Sequence, residues 1–231
     1  MTSQFVHLRL HSDYSMQDGL NKVNPILDAS VESGFSAIAL TDLMNMCGLV
    51  KFYSSAIKKG IKPIIGCDVW LQSEFLEGQI VQLCLLAKNE QGYKNITNII
   101  SEAYLRGHFQ HKVVINQHDL GRFSEGVIVL SAALDGDLGK ALAMSNQDVS
   151  AQIVGFYKQH FPDHYYIELQ RTGHVGQNDY IKGAVALAAE HDLPVVATNN
   201  VRFIKTEGFE AHEVRTCISD GFTLDDPRRE K

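Results

Sequence analysis

Short β-branched runs alternate with amphipathic segments along nearly the whole chain, and this alternation restricts the fold more than any other feature. Strands are expected at Phe5–Leu10, Ser36–Thr41, Pro63–Leu71, Ile80–Ala87, Val127–Ser131, Tyr165–Leu169 and Val195–Thr198. Between them Val23–Glu32, Leu49–Lys58, Tyr93–Arg106, Asp148–Gln159 and Asn178–Glu190 carry apolar residues at three- and four-residue spacing, which predicts helices. Strands joined by helices of this kind build an α/β fold with parallel strands. A single (βα) barrel of about seven strands is the economical arrangement, with an open doubly wound sheet as the alternative. Only Ser73–Gly78 breaks the alternation, as a turn leading one strand directly into the next.

With 231 residues the chain can bury a sizeable core without disulfide or metal staples. No apolar run approaches the ~20 residues of a membrane span. The start, Met1 to His7, lacks the basic-then-apolar pattern of a secretory signal. Cys47, Cys67, Cys84 and Cys217 form no C-x-x-C pair, which points to free thiols in a reducing cytoplasm. Lys plus Arg total 21 against 27 Asp plus Glu, a net charge of -6, the wrong sign for a domain held to nucleic acid by bulk electrostatics. Ten histidines raise the question of a metal enzyme.

In parallel barrels the loops after the strands converge on the active site, so polar residues there carry the functional information. His7, Arg9 and His11 alternate along the first strand and share one side. Thr41-Asp42 follow the second strand, Asp68 lies on the third and Gln82 on the fourth. Ser131 to Asp137 follow the fifth, Glu168 to Thr172 belong to the sixth, and Thr198 to Arg202 follow the seventh. A guanidinium is never a metal ligand, so Arg9 spoils a two-histidine site on the first strand.

From Phe5 to Pro227 the sequence resembles the PHP (polymerase and histidinol phosphatase) domains at the N-terminus of bacterial DNA polymerase III alpha subunits. The matching stretches are Phe5-Val-His-Leu-Arg-Leu-His-Ser-Asp-Tyr-Ser15, Thr41-Asp-x-x-Asn-x-x-Gly48 and Gly60-Ile-Lys-Pro-Ile-Ile-Gly66. They continue as Leu85-Leu-Ala-Lys88, Gly92-Tyr-x-Asn95, Ala197-Thr-Asn199, Ala211-His-Glu213 and Thr223-Leu-Asp-Asp-Pro227. The resemblance implies a distorted seven-stranded (βα) barrel of the PHP type, with residues 1–231 a single domain cut from a longer polymerase chain. The polar run Thr223 to Lys231, which has no closing element, fits that reading.

Relatives that keep the catalytic site hold a trinuclear metal cluster and hydrolyse phosphoesters. Carried over residue by residue, their nine ligand positions fall on Arg9, His11, Leu43, Asp68, Gln82, Ala133, Thr172, Asn200 and Arg202. Only His11 is kept, with Asp68 a conservative replacement. A catalytic zinc takes three protein ligands, so the expected site holds no metal and the domain needs no cofactor. Arg9 and Arg202 are expected to replace the metals as counter-charges for Asp42, Asp68 and Glu168, with at least one of them in a salt bridge.

The resemblance also implies a role. In relatives without the metal site, this domain receives the separate proofreading exonuclease subunit, and the rest of the chain carries the DNA-directed DNA polymerase activity. The fragment is then a cytoplasmic structural and docking module, with neither its own catalytic residues nor strong nucleic-acid binding. The alternative is a residual phosphoesterase, pyrophosphatase or 3′-5′ exonuclease using His11, Asp68 and Glu168 with one metal. His7 is expected as a packed, hydrogen-bonded residue, and His212 as a structural one.

Overall fold

The computed structural model describes residues 5–227. Met1 to Gln4 of the leader reading and Arg228 to Lys231 of the terminal run lie outside the described residues. In chain order the elements are α1 (Val23–Glu32), β1 (Ala37–Leu40), α2 (Leu49–Lys58), β2 (Lys62–Gln72), β3 (Ile80–Ala87) and α3 (Glu90–Arg106). Three two-residue strands follow, β4 (His108–Phe109), β5 (Lys112–Val113) and β6 (Ile115–Asn116), then α4 (Gln117–Arg122), β7 (Val127–Leu130) and α5 (Asp137–Ala143). The chain continues through α6 (Gln147–His160), β8 (Tyr165–Gln170), α7 (Gln177–His191), β9 (Val195–Thr198) and α8 (Phe209–Asp220). The architecture is α/β. Two compact units divide it, one running to Ile64 and resuming at Asn200, the other spanning Ile65–Asn199.

In the first unit α1 buries Val23, Ile26, Leu27 and Ser30 on one face, and β1 is buried at all four positions. The continuous strand expected at Phe5–Leu10 is reduced to two parallel bridges, His7 with Ile38 and Leu10 with Val201. The cause is a side chain: the Leu10 N–H donates to Thr41 Oγ1 at 2.9 Å, and the same hydroxyl lies 3.2 Å from the Leu10 carbonyl. The segment stays extended all the same. Ala39 N–H donates to the His7 carbonyl and Thr41 N–H to that of Leu10, while His11 N–H donates to the Val201 carbonyl and Val201 N–H to that of Arg9. The polar residues after β1 and those from Asn200 are thereby pinned beside residues 7–11.

In the second unit β2 and β3 form an antiparallel hairpin in register from Gly66–Leu86 to Gln72–Ile80. β3 is antiparallel to β7, whereas β7–β8 and β8–β9 are parallel. The direct turn expected at Ser73–Gly78 is present and makes this pair antiparallel, because the connection from Ser73 to Gln79 is far shorter than the crossover a parallel pair requires. Val69, Leu71, Leu83, Leu85, Val129 and Ile167 of these strands are fully buried, as are Ile96 of α3 and Leu138 of α5. Helix α3 is fixed at its start by Asn89, whose Oδ1 accepts from Gly92 N–H at 2.9 Å. A Cβ on Gly92 would stand 1.8 Å from the Gly126 carbonyl oxygen, so only glycine lets α3 approach the turn before β7. Asn95 Nδ2 closes the same junction on the Glu125 carbonyl at 2.8 Å.

Candidate functional site

Two ligand positions of the first unit, His11 and Arg202, meet at Asp18. His11, 2% exposed, places Nδ1 2.7 Å from Asp18 Oδ1, and Arg202 places Nε 2.7 Å from Asp18 Oδ2. The Asp18 carbonyl is held in turn by His212 Nδ1 at 3.0 Å, which gives His212 a structural part. Gly19 permits this turn, since a Cβ there would stand 1.7 Å from the Ser12 carbonyl oxygen. A carboxylate only accepts, so His11 donates through Nδ1 and turns Nε2 away from Asp18, the orientation that carboxylates impose on metal-binding histidines. Arg202 pairs with the same carboxylate, and Leu43 is buried.

Asp42 is buried under two serines. Ser12 donates from its N–H at 2.7 Å and from Oγ at 2.8 Å to Oδ2, and Ser15 Oγ donates at 2.7 Å. Ser15 Oγ also accepts from Leu43 N–H at 2.9 Å, so the Thr41-Asp42-Leu43 stretch is locked to the 11–15 loop. Arg9 is fully buried. Asn200 takes a left-handed backbone at φ 47°, and its buried Oδ1 has no hydrogen-bond partner among the described residues. His7 packs edge-on between Phe5 and Phe35 with ring centroids 5.0 and 5.1 Å away. The expected hydrogen bond is missing among the described residues, since Nδ1 is buried without one, and burial lowers the pKa of the ring.

In the second unit Asp68 lies fully buried on β2 opposite Cys84, and Gln82 lies on β3 opposite Trp70. Glu168, also fully buried, accepts from Ala132 N–H at 3.0 Å, from Gln170 Nε2 at 2.7 Å and from the Thr198 hydroxyl. Its own N–H donates to Ser131 Oγ at 2.9 Å, so β7, β8 and β9 all converge on this one carboxylate. Ala132 and Ala133 both hold left-handed φ, 56° and 51°. Each costs a Cβ-bearing residue about 1 kcal/mol, and the Ala132 bond to Glu168 helps offset it. Thr172 is engaged elsewhere: its N–H and hydroxyl bond the side chain of Gln177, at the start of α7.

Asp137 closes the polar run that follows the fifth expected strand. Fully buried at the start of α5, it accepts from Leu138 N–H at 2.7 Å and from the Tyr157 hydroxyl at 2.8 Å. Burial pushes its carboxyl up to about 6 against those two bonds, and pushes the Tyr157 hydroxyl well above its ordinary range. Tyr157 stacks flat on Tyr165, 4.1 Å between centroids. Asp18 is the acid absent from the expected site; its one signal in the sequence is an Asp-Gly turn in a polar stretch seven residues after His11. Among the described residues no group of three or more His, Cys, Asp or Glu side chains is placed to hold a metal ion, and no helix is long and apolar enough to cross a membrane.

Residues 7–172 match the PHP domain. The DNA polymerase III subunit alpha of Vibrio cholerae is 53% identical over 228 residues, 99% of this chain and 20% of that protein. The same subunit of Escherichia coli K12 is 48% identical over 226 residues, 98% of this chain and again 20% of the relative. This chain thus spans about a fifth of the length of the curated relatives it matches. A solved structure from Bifidobacterium adolescentis, described as a metal-dependent phosphoesterase, superposes with a TM-score of 0.58 at 12% identity, covering 91% of this chain and 96% of the other. The likeness extends to the fold, and the match to the family covers well over half the sequence: the chain belongs to the PHP domain family, in the form found at the N-terminus of DNA polymerase III alpha subunits.

Proposed function

We propose that this chain is a metal-free, hydrolytically inactive PHP domain that serves a replicative DNA polymerase as a structural module and as the docking site of its proofreading exonuclease subunit. The observation that carries the reading is the fate of the ligand positions. Arg9, Leu43, Gln82, Ala133, Thr172, Asn200 and Arg202 stand where metal-keeping relatives place ligands, and none of them replaces those ligands in a zinc-type site. A second element of the reading is that arginine at positions 9 and 202 supplies positive charge that metals would otherwise have brought, as Arg202 does at Asp18.

On this reading residues 1–231 are one domain of a cytoplasmic polymerase chain that transfers nucleotides through carboxylates outside these residues. The domain's acidic balance leaves DNA contact to the rest of that chain. Elemental analysis of unchelated protein is expected to find no tightly held transition metal; two or three bound ions would overturn the metal-free reading. Isothermal titration with the C-terminal tail of the exonuclease subunit is expected to give saturable binding, and its absence with folded protein would overturn the docking role. The orientation of His11 Nε2 favours one competing reading, a one-metal phosphoesterase. That reading requires metal-dependent turnover that disappears in His11→Ala.

A further inference from the structure

Helix α2 has two apolar faces. Phe52 and Ala56 are fully buried on one, whereas Val50, Tyr53 and Ile57 line the other at 73%, 50% and 55% exposure. Their spacing of three and four residues makes a continuous row. Lys51 and Lys58 run beside that row, about 100° round the helix from Val50 and Ile57. From Leu43 to Cys67 the sequence carries Lys51, Lys58, Lys59 and Lys62 and no Asp or Glu, in a chain whose net charge is -6. Lys59 is taken by Asp28. Among the described residues no carboxylate pairs with Lys51, Lys58 or Lys62.

An apolar row flanked by a basic row calls for its complement, an apolar row flanked by acids. A second copy of the chain would bring lysines against lysines. Nucleic acid would neutralise the lysines but set Val50, Tyr53 and Ile57 against phosphates. We propose that this face of α2 docks an acidic amphipathic helix of a protein partner, laid along Val50, Tyr53 and Ile57 with its carboxylates on Lys51 and Lys58. The inference rests on the docking reading above and assigns it a surface.

Two fluorescent helical peptides with one apolar pattern, flanked in one by glutamates and in the other by lysines, provide the probe. Fluorescence anisotropy with the 231-residue chain is expected to detect the glutamate peptide and not the lysine peptide. Ile57→Ser and the pair Lys51→Glu with Lys58→Glu should each weaken binding about tenfold, because each removes one of the two complementary rows. These side chains are exposed, and circular dichroism checks that the variants remain folded. Equal binding of the two peptides, affinity unmoved by either variant, or tighter binding to phosphatidylserine vesicles or single-stranded DNA would overturn the proposal. Should the exonuclease tail bind wild type and variants alike while the glutamate peptide fails, docking stands and this surface falls. Should the glutamate peptide bind while the tail does not, the surface stands and the exonuclease reading falls.

Discussion

Asp18 and Asp137 each anchor a loop, one in each unit, and they are held by opposite means. Asp18 keeps its side chain 21% exposed and lies 2.7 Å from both Arg202 Nε and His11 Nδ1. Asp137 is fully buried and is held by two neutral donors, Tyr157 and Leu138. A cationic partner favours the ionised acid, so fold and charge agree at Asp18. Burial among neutral groups opposes ionisation, so fold and charge conflict at Asp137, whose carboxyl rises to about 6. The difference teaches what each loop should be sensitive to: removal of a partner at Asp18, and pH at Asp137.

The largest expected effect is at Arg202. Arg202→Met keeps the length of the stem but leaves the Asp18 carboxylate, largely buried, without its guanidinium. Removing one partner of a buried pair costs about 3–5 kcal/mol, and partial exposure puts this case near ~3. Urea denaturation should give that loss. A loss below about 1 kcal/mol would class the contact with ordinary surface pairs and erase the contrast. The double variant Arg202→Met with Asp18→Asn should recover part of the loss, because no charge is then stranded.

Parts of this arrangement were legible in the sequence and parts were not, for physical reasons. The bounds of α1 and α2 follow from apolar stripes closed by Gly34 and Gly60, both at positive φ. Helix α8 buries only Cys217, so no inward stripe announced it. Helix α5 is seven residues long and follows two left-handed alanines, a geometry that composition does not encode. The first strand was misjudged because a threonine hydroxyl distant in sequence displaced a ladder partner. Among the polar residues, the ligand positions emerged from motif resemblance, whereas the hub at Asp18 depends on Arg202 and His212 arriving from the far end of the chain. Long-range convergence of that kind leaves no periodic signal.

The second effect is a slope rather than a loss. Between the ordinary 3.8 and about 6, folded Asp137 holds a proton that the unfolded chain has released. Stability from this group is therefore full below about 4 and falls as pH rises to about 6, by roughly 3 kcal/mol in all. Asp137→Asn removes the titration. The difference in unfolding free energy between wild type and variant, measured by urea at several pH values, should shift against wild type across that window and level off above it. A flat difference would mean that Asp137 is solvated in solution, and the contrast with Asp18 would fail.

The smallest effect tests the neutral donor itself. Tyr157→Phe preserves the flat stack on Tyr165 and deletes only the hydroxyl that donates to Asp137. Above pH 7 the acid is ionised, and losing one of its two donors should cost about 2 kcal/mol, within the range for hydrogen bonds to charged groups. Below pH 5 folded Asp137 is protonated, the lost bond joins two neutral groups, and the cost should shrink to about 1 kcal/mol. A purely steric effect would give no such fall in cost with acidity, because a packing defect does not titrate. In an Asp137→Asn background the same substitution should cost equally at both pH values. A dependence that persisted there would place the titrating group elsewhere in the second unit and detach the pH sensitivity from this pair.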